Sequence, residues 1–447
     1  MRTDDLLNFY RCDNRTGTLL RALKDTSNKI ELKGVVGSGL ALIAAGLLEN
    51  ELKEGVKKRP HLFVFDDKEQ AAYFMNDLEQ ILVENPRPVF LFPRSARVPY
   101  QEEITENANI AQRAEVLNEI NRGGEGCIIV SYPGALSEMV ITKKELSAQT
   151  FSIHVGNSFT LDFLDEVFLE YGFEKVDFVY EPGQYAMRGG IVDVFSYSFD
   201  HPYRIEFFGE EIESIRKFNP VSQLSISKLT RATIVPNVGK KTPHESWEAF
   251  FSFIPEDSVI WMTDVKSCEL GLQKELEKAT AHFERLVGET KRTPPSELYL
   301  DPEVFKSLIE DFSVVEFGGG KTFSDRLTIS YGMTEQPAFN KHFDMIATNL
   351  IANNRNGYVN VIVSGQATQL ERLHDIFTDR QDKNGEKSPD VPYTPIPMEL
   401  SVGFVDKDLK VLVYTDHQLF DRYHRFRLKD GFRKSKEALT IKELMSL

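Results

Sequence analysis

The chain has 447 residues, 41% hydrophobic and 27% charged, enough apolar side chain for roughly three ordinary domains of about 150 residues. A formal charge of −15 excludes broad non-specific adhesion to nucleic acid, which needs clustered Lys and Arg, so DNA contact is expected to be weak or absent. Cys12, Cys127 and Cys268 lie too far apart for a metal cage or a disulfide framework. The opening MRTDDLLNFY lacks a signal peptide's basic and apolar segments, and the run from Leu40 to Leu48 is too short to span a bilayer. A cytoplasmic protein with no membrane partner is expected.

Strands alternate with helices through the first third. IELKGVV leads into a glycine loop, and ALIAAGLLENEL reads as a buried helix. LFVFDD (62–67) is a strand, KEQAAYFMNDLEQILVE has helical spacing, and PVFLFP is the next strand. A helix from Asn109 to Asn121 and the strand CIIVSYP (127–133) follow. This alternation predicts a parallel sheet covered on both faces. From about Gln149 the pattern changes to short alternating strands with turn residues, read as antiparallel, with one helix, LDFLDEVFLEYG, packed on them. Ile234 to Thr334 is mixed, with the strand VIWMTD, a helix from about Leu272 to Leu286 and a loop at KRTPPSE.

A last unit follows. KHFDMIATNLIAN and QATQLERLHDIF are helices, while YVNVIVSG, YTPIPM and LKVLVYTD are strands of a small α/β domain. DRQDKNGEKSPDVP within it reads as a surface loop. The tail HRFRLKDGFRKSKEALTIKELMSL is basic, then helical in pattern. It reads as a solvated linker into a longer polypeptide.

The stretch KGVVGSGLALI fits the opening of a phosphate-binding loop from Gly34 through Gly39. Leu40 then stands where the phosphate-binding lysine belongs, and Ala41 where the Mg²⁺-binding hydroxyl belongs. Three readings follow. The amides of Gly37, Ser38 and Gly39 could still cradle an anion at a helix start. A dinucleotide fold would use Gly37 and Gly39 with Asp66 or Asp67, but the third small residue is replaced by Leu42. A structural relic would keep the turn while Leu40 and Ala41 pack inside.

FGGGKTF contains Gly320-Lys321-Thr322, but Val315 stands where the first glycine would be, so a glycine turn between strands is expected. Asp165-Glu166 reads as the solvated face of a helix. No nucleophilic triad, paired catalytic carboxylates or His/Cys cage is legible.

The segment PGQYAMRGGIVDVFSYSFDHPYRIEFFGEEIESIRKFNP is more informative. On YRIEFF, alternation puts Tyr203, Ile205 and Phe207 on one face and Arg204, Glu206 and Phe208 on the other. The first set suits a core. The second presents an arginine and an aromatic outward, the composition of an interface anchor.

With SARVPYQEEITENANIAQR, GQYAMRGGIVDVF, YRIEFFGEEIESIRKFNPVSQ and FVDKDLKVLVYTD, the sequence resembles the amino-terminal half of the bacterial transcription-repair coupling factors. The middle block is shared with the excinuclease B protein. The resemblance implies a multidomain α/β fold. A degenerate P-loop (RecA-like) parallel-sheet domain, 1–150 and 237–333, is split by an inserted small α+β domain, 151–236. A separate small α/β domain, 334–420, and a basic linker, 421–447, complete it.

It also implies that the inserted domain binds the excinuclease A protein through Arg188, Arg204 and Phe208. Gly34, Gly37, Ser38, Gly39, Leu40 and Ala41 become a decayed nucleotide loop. No cofactor is expected here; ATP and Mg²⁺ belong to a motor beyond Leu447, as does the RNA polymerase-binding module. In such a parent the motor end masks the surface for excinuclease A at rest. The alternatives are a dinucleotide-binding protein or an active ATP-dependent component of excision repair.

Overall fold

The computed structural model describes residues 2–25, 27–55, 58–83, 87–95, 107–124, 126–197, 201–239, 246–285, 293–320, 322–380 and 389–422. Most of SARVPYQEEITEN, the lysine of FGGGKTF and nearly all of the basic tail lie outside them.

One seven-stranded sheet organises the first body. Its order is Leu327–Ser330, Lys29–Lys33, Ser313–Glu316, Val259–Met262, His61–Val64, Ile128–Ser131 and Val89–Leu91, every pair parallel. The central strands HLFV, IIVS, VIWM and SVVE are buried along their whole length, as a sheet covered on both faces requires. Three of the seven strands come from after residue 258 and lie among or beside those from before residue 132. The chain therefore leaves this sheet and returns to it. The stretch after FGGGKTF forms the edge strand Leu327–Ser330, so the described residues of that motif lie in the connection between two strands that flank Lys29–Lys33 on either side, both parallel to it.

The helix after the glycine loop, Gly39–Lys53, is buried from Gly39 through Leu48. A helix apolar all round must be covered on all sides. Two amino-terminal helices, Thr3–Arg11 and Asn14–Ala22, supply that cover with Leu6, Leu7, Tyr10, Leu19 and Leu20. At Gly46 any Cβ would lie 3.0 Å from the backbone nitrogen of Arg11, so glycine sets how closely the helices cross.

The inserted module begins and ends with one antiparallel pair, Phe151–His154 against Arg231–Ile234. Beyond that pair lies a six-stranded sheet ordered Ser225–Leu229, Glu211–Phe218, Tyr203–Phe208, Ile191–Val194, Gln184–Arg188 and Glu174–Lys175. All its pairings are antiparallel except the last, which runs parallel and departs from the purely antiparallel expectation. Helix Leu161–Glu170 buries Leu164 and Phe168 against the sheet, with the Phe168 ring 5.0 Å from that of Tyr185.

The last unit is a five-stranded sheet ordered Met333–Glu335, Phe404–Asp406, Val411–Thr415, Val359–Val363 and Thr394–Ile396. Helices Phe343–Arg355 and Ala367–Thr378 cover one face through Ile346, Leu350, Leu373 and Phe377. Val361, Val363, Val411 and Val413 point the other way, and with Met333, Leu400 and Phe404 they join the core of the first body. No described helix is long and apolar enough to cross a membrane.

Candidate partner-binding surface and the glycine loop

Strand alternation in Tyr203–Phe208 places Tyr203 and Ile205 in the core, with Phe207 partly buried against it. Arg204 and Glu206 point to the opposite face, and Phe208 is 82% exposed at the strand end. Arg204 and Phe208 are four residues apart, about 13 Å along the strand. The register shifts between Glu206 and Phe207, so the end carrying Phe208 follows a bulge.

Arg188 and Arg204 converge on Asp193, whose side chain is completely buried. Arg204 Nε donates to Oδ1 at 2.7 Å and Nη2 to Oδ2 at 2.8 Å. Arg188 Nη2 donates to the same Oδ2 at 2.5 Å. The hydrogen bond from Arg204 to Asp193, outweighing partial burial, holds the guanidinium above its usual pKa.

Each arginine also lies over a ring, Arg188 4.8 Å from Phe178 and Arg204 4.4 Å from Phe218. Arg204 further donates to the carbonyl and side-chain oxygens of Gln223, both at 3.2 Å. Arg216 pairs with Glu206 at 2.9 Å, which continues the charged face. Phe178 and Tyr180 are 48% and 44% exposed, leaving aromatic surface in the loop that receives Arg188.

Gly189 and Gly190 have different tasks. Gly189 turns the hairpin at φ +59° with open space beside it. Gly190 is required by its own sheet, since a Cβ there would lie 2.9 Å from the Phe207 carbonyl oxygen. The neighbour that comes close at Gly190 is thus a strand of the same module.

The glycine loop lies at the carboxyl end of strand Lys29–Lys33. Gly34 and Gly37 take positive φ, +78° and +57°, and Ser38 precedes the helix. Leu40 and Ala41 are buried in the core. The loop's polar groups face another part of the chain: Ser38 N donates to the carbonyl of Val402 at 3.0 Å. Ser38 Oγ accepts from Val402 N at 3.1 Å and donates to Asp77 Oδ2 at 2.6 Å.

From the last unit, Ser401 donates to Asp77 through both its amide (2.7 Å) and its hydroxyl (2.6 Å). Burial pushes the Asp77 carboxyl up to about 7, against the lowering effect of these hydrogen bonds. Among the described residues no group of three or more His, Cys, Asp or Glu is placed to hold a metal.

The family of UvrB interaction domains matches residues 151–239, the stretch containing Arg188, Asp193, Arg204 and Phe208. Over 90% of this chain, a transcription-repair-coupling factor of Myxococcus xanthus is 23% identical, and the match covers 40% of that protein. The chain resembles an amino-terminal fragment of such a factor.

The transcription-repair-coupling factor of Bacillus subtilis is 28% identical over 52% of this chain and 19% of its own length. UvrABC system protein B of Treponema denticola is 24% identical over 53% of this chain and 37% of its own. The chain thus spans less than half the length of each of these relatives.

Sequence reasoning missed two parts of the surface. Asp193 stands alone among apolar residues in GGIVDVF, and an acid in a buried strand signals a partner charge. Phe178 and Tyr180 carry no such signal, because exposed aromatics in a loop have no periodicity.

Proposed function

We propose that this chain is a non-catalytic recruitment module that binds the excinuclease A protein and so links a coupling factor to nucleotide excision repair. One observation carries the reading. Within the matched interaction domain, two arginines fixed on one buried carboxylate share a sheet with a phenylalanine that is 82% exposed. Fixed guanidinium groups lose little conformational entropy on binding, and an exposed aromatic gains most when a partner covers it. The partner surface that fits has an acidic group for Arg188 and Arg204 and an apolar pocket for Phe208.

In this reading polymerase contact and ATP-driven movement belong to the part of the full-length relatives that this chain does not span. The competing reading, an ATP-hydrolysing enzyme, needs phosphate at the glycine loop, where Val402 makes the contacts instead.

The test is calorimetric titration of the purified chain with excinuclease A. Arg204→Glu is expected to weaken binding by about 2–5 kcal/mol, as for truncating a buried charged contact. Unchanged affinity in that variant removes Arg204 from the interface, and steady ATP turnover by the chain removes the non-catalytic assignment.

A further inference from the structure

In open α/β sheets, ligands bind beyond the carboxyl ends of the strands, and a glycine loop there offers amides and a helix N-terminus to phosphate. In this chain that place is filled by its own residues 401–404, together with Met333. The Val402 carbonyl, a partial negative charge, sits against the Ser38 amide at the start of helix Gly39–Lys53, the electrostatic position of a phosphate oxygen. A Cβ at Gly37 would lie 2.9 Å from that oxygen, and one at Gly39 would lie 2.6 Å from Met333 Sδ. The glycines that would make room for phosphate make room here for another part of the chain.

The inserted tongue is built from both sides. On its own side, Gln418 Oε1 accepts from Gly403 N at 2.7 Å, and His417 Nε2 bonds the Ser401 carbonyl at 3.0 Å. On the receiving side Asp77 accepts from Ser38 and Ser401 together, and the two hydroxyl oxygens are 3.3 Å apart. Around this cluster Tyr10 meets Phe404 edge-on at 6.4 Å, and Arg15 spans Asp13 and Asp408.

We propose that the glycine loop is a docking socket for the last unit, with the Ser401-Val402 peptide in the place of phosphate and Ser38, Asp77 and Ser401 as its latch. The last unit is thereby a fixed cover on the sheet's ligand-binding edge, and a nucleotide could enter only if the tongue left.

Hydrogen exchange read by mass spectrometry on the full chain tests this, comparing wild type with Asp77→Ala and Ser401→Ala. Expected is exchange faster by about tenfold or more in peptides holding Ser38 and Val402, while helices Phe343–Arg355 and Ala367–Thr378 keep wild-type protection. Unchanged exchange at Ser38 and Val402 in both variants overturns the latch. Equal loss of protection in the two helices also overturns it, because the unit would then be unfolding rather than undocking. As a separate measurement, millimolar pyrophosphate or MgATP added to wild type should leave exchange at residues 37–41 unchanged; added protection there means that the loop still takes phosphate.

Discussion

Asp193 faces Arg204 directly across two adjacent strands and receives both its Nε and Nη2 hydrogens, at 2.7 and 2.8 Å. A two-pronged bond fixes the plane of the guanidinium as well as its place. Because Arg188 shares the same carboxylate, one buried acid sets the geometry of both cations. Asp193→Asn keeps the shape and removes the charge. The variant is expected to lose about 1–3 kcal/mol of stability in urea unfolding, the worth of hydrogen bonds to a charged group. It should also bind excinuclease A more weakly, because two unfixed arginines must be ordered on contact.

Phe208 gives the opposite pattern. At 82% exposure it contributes little to the folded state, so Phe208→Ala should shift stability by less than about 0.5 kcal/mol. Binding of excinuclease A should nonetheless fall by about tenfold or more, as for a buried aromatic anchor. Calorimetry and denaturation on the same preparation separate the two effects.

Asp77 should make stability depend on pH in an unusual direction. Its folded-state pKa is raised from an ordinary carboxyl value to about 7 by burial, with Glu399 adding like charge and the Ser38 and Ser401 hydrogen bonds opposing. A raised acid favours the folded protein in its protonated form. The contribution is full below about pH 4 and is lost progressively as pH rises through about 7, on the order of 4 kcal/mol in all. Other carboxylates titrate in the same range, so the measurement is the difference between wild type and Asp77→Asn. That difference should change between pH 4 and 7 and level off above.

Restoring the missing residues of the loop should not restore a nucleotide site. Leu40 and Ala41 are buried in a packed core, and the Ser38 amide beside them already holds Val402. The double substitution Leu40→Lys, Ala41→Thr is expected to show no ATP turnover in a coupled assay. It should cost about 2–5 kcal/mol in denaturant unfolding, through lost apolar burial and an introduced charge.

Much of this fold is written in local patterns. Three of the four buried central runs, HLFV, IIVS and VIWM, are short and mostly apolar, whereas SVVE has a serine and a glutamate at its ends and gives no such signal. The change of grammar near residue 150 coincides with the start of the inserted sheet. Alternation alone places Tyr203 and Ile205 inside and Arg204 outside. The amino-terminal helices are harder to read, although Leu6, Leu7 and Tyr10 have helical spacing, because each is only nine residues long and their apolar face is narrow. The contact between Ser38 and Val402 is beyond reach, since the residues lie 364 positions apart and neither neighbourhood has a pattern that demands the other.

The paired strands Phe151–His154 and Arg231–Ile234 join the inserted module to the parallel sheet by two crossings of the chain, laid side by side and hydrogen-bonded. A tether of one strand would let the module spin and swing. This double stem resists twisting about its length and yields most easily by bending across the ribbon's thin direction. A pull applied at Arg204 would be divided between two covalent routes into the sheet, so whatever grips the module can drag the whole body after it.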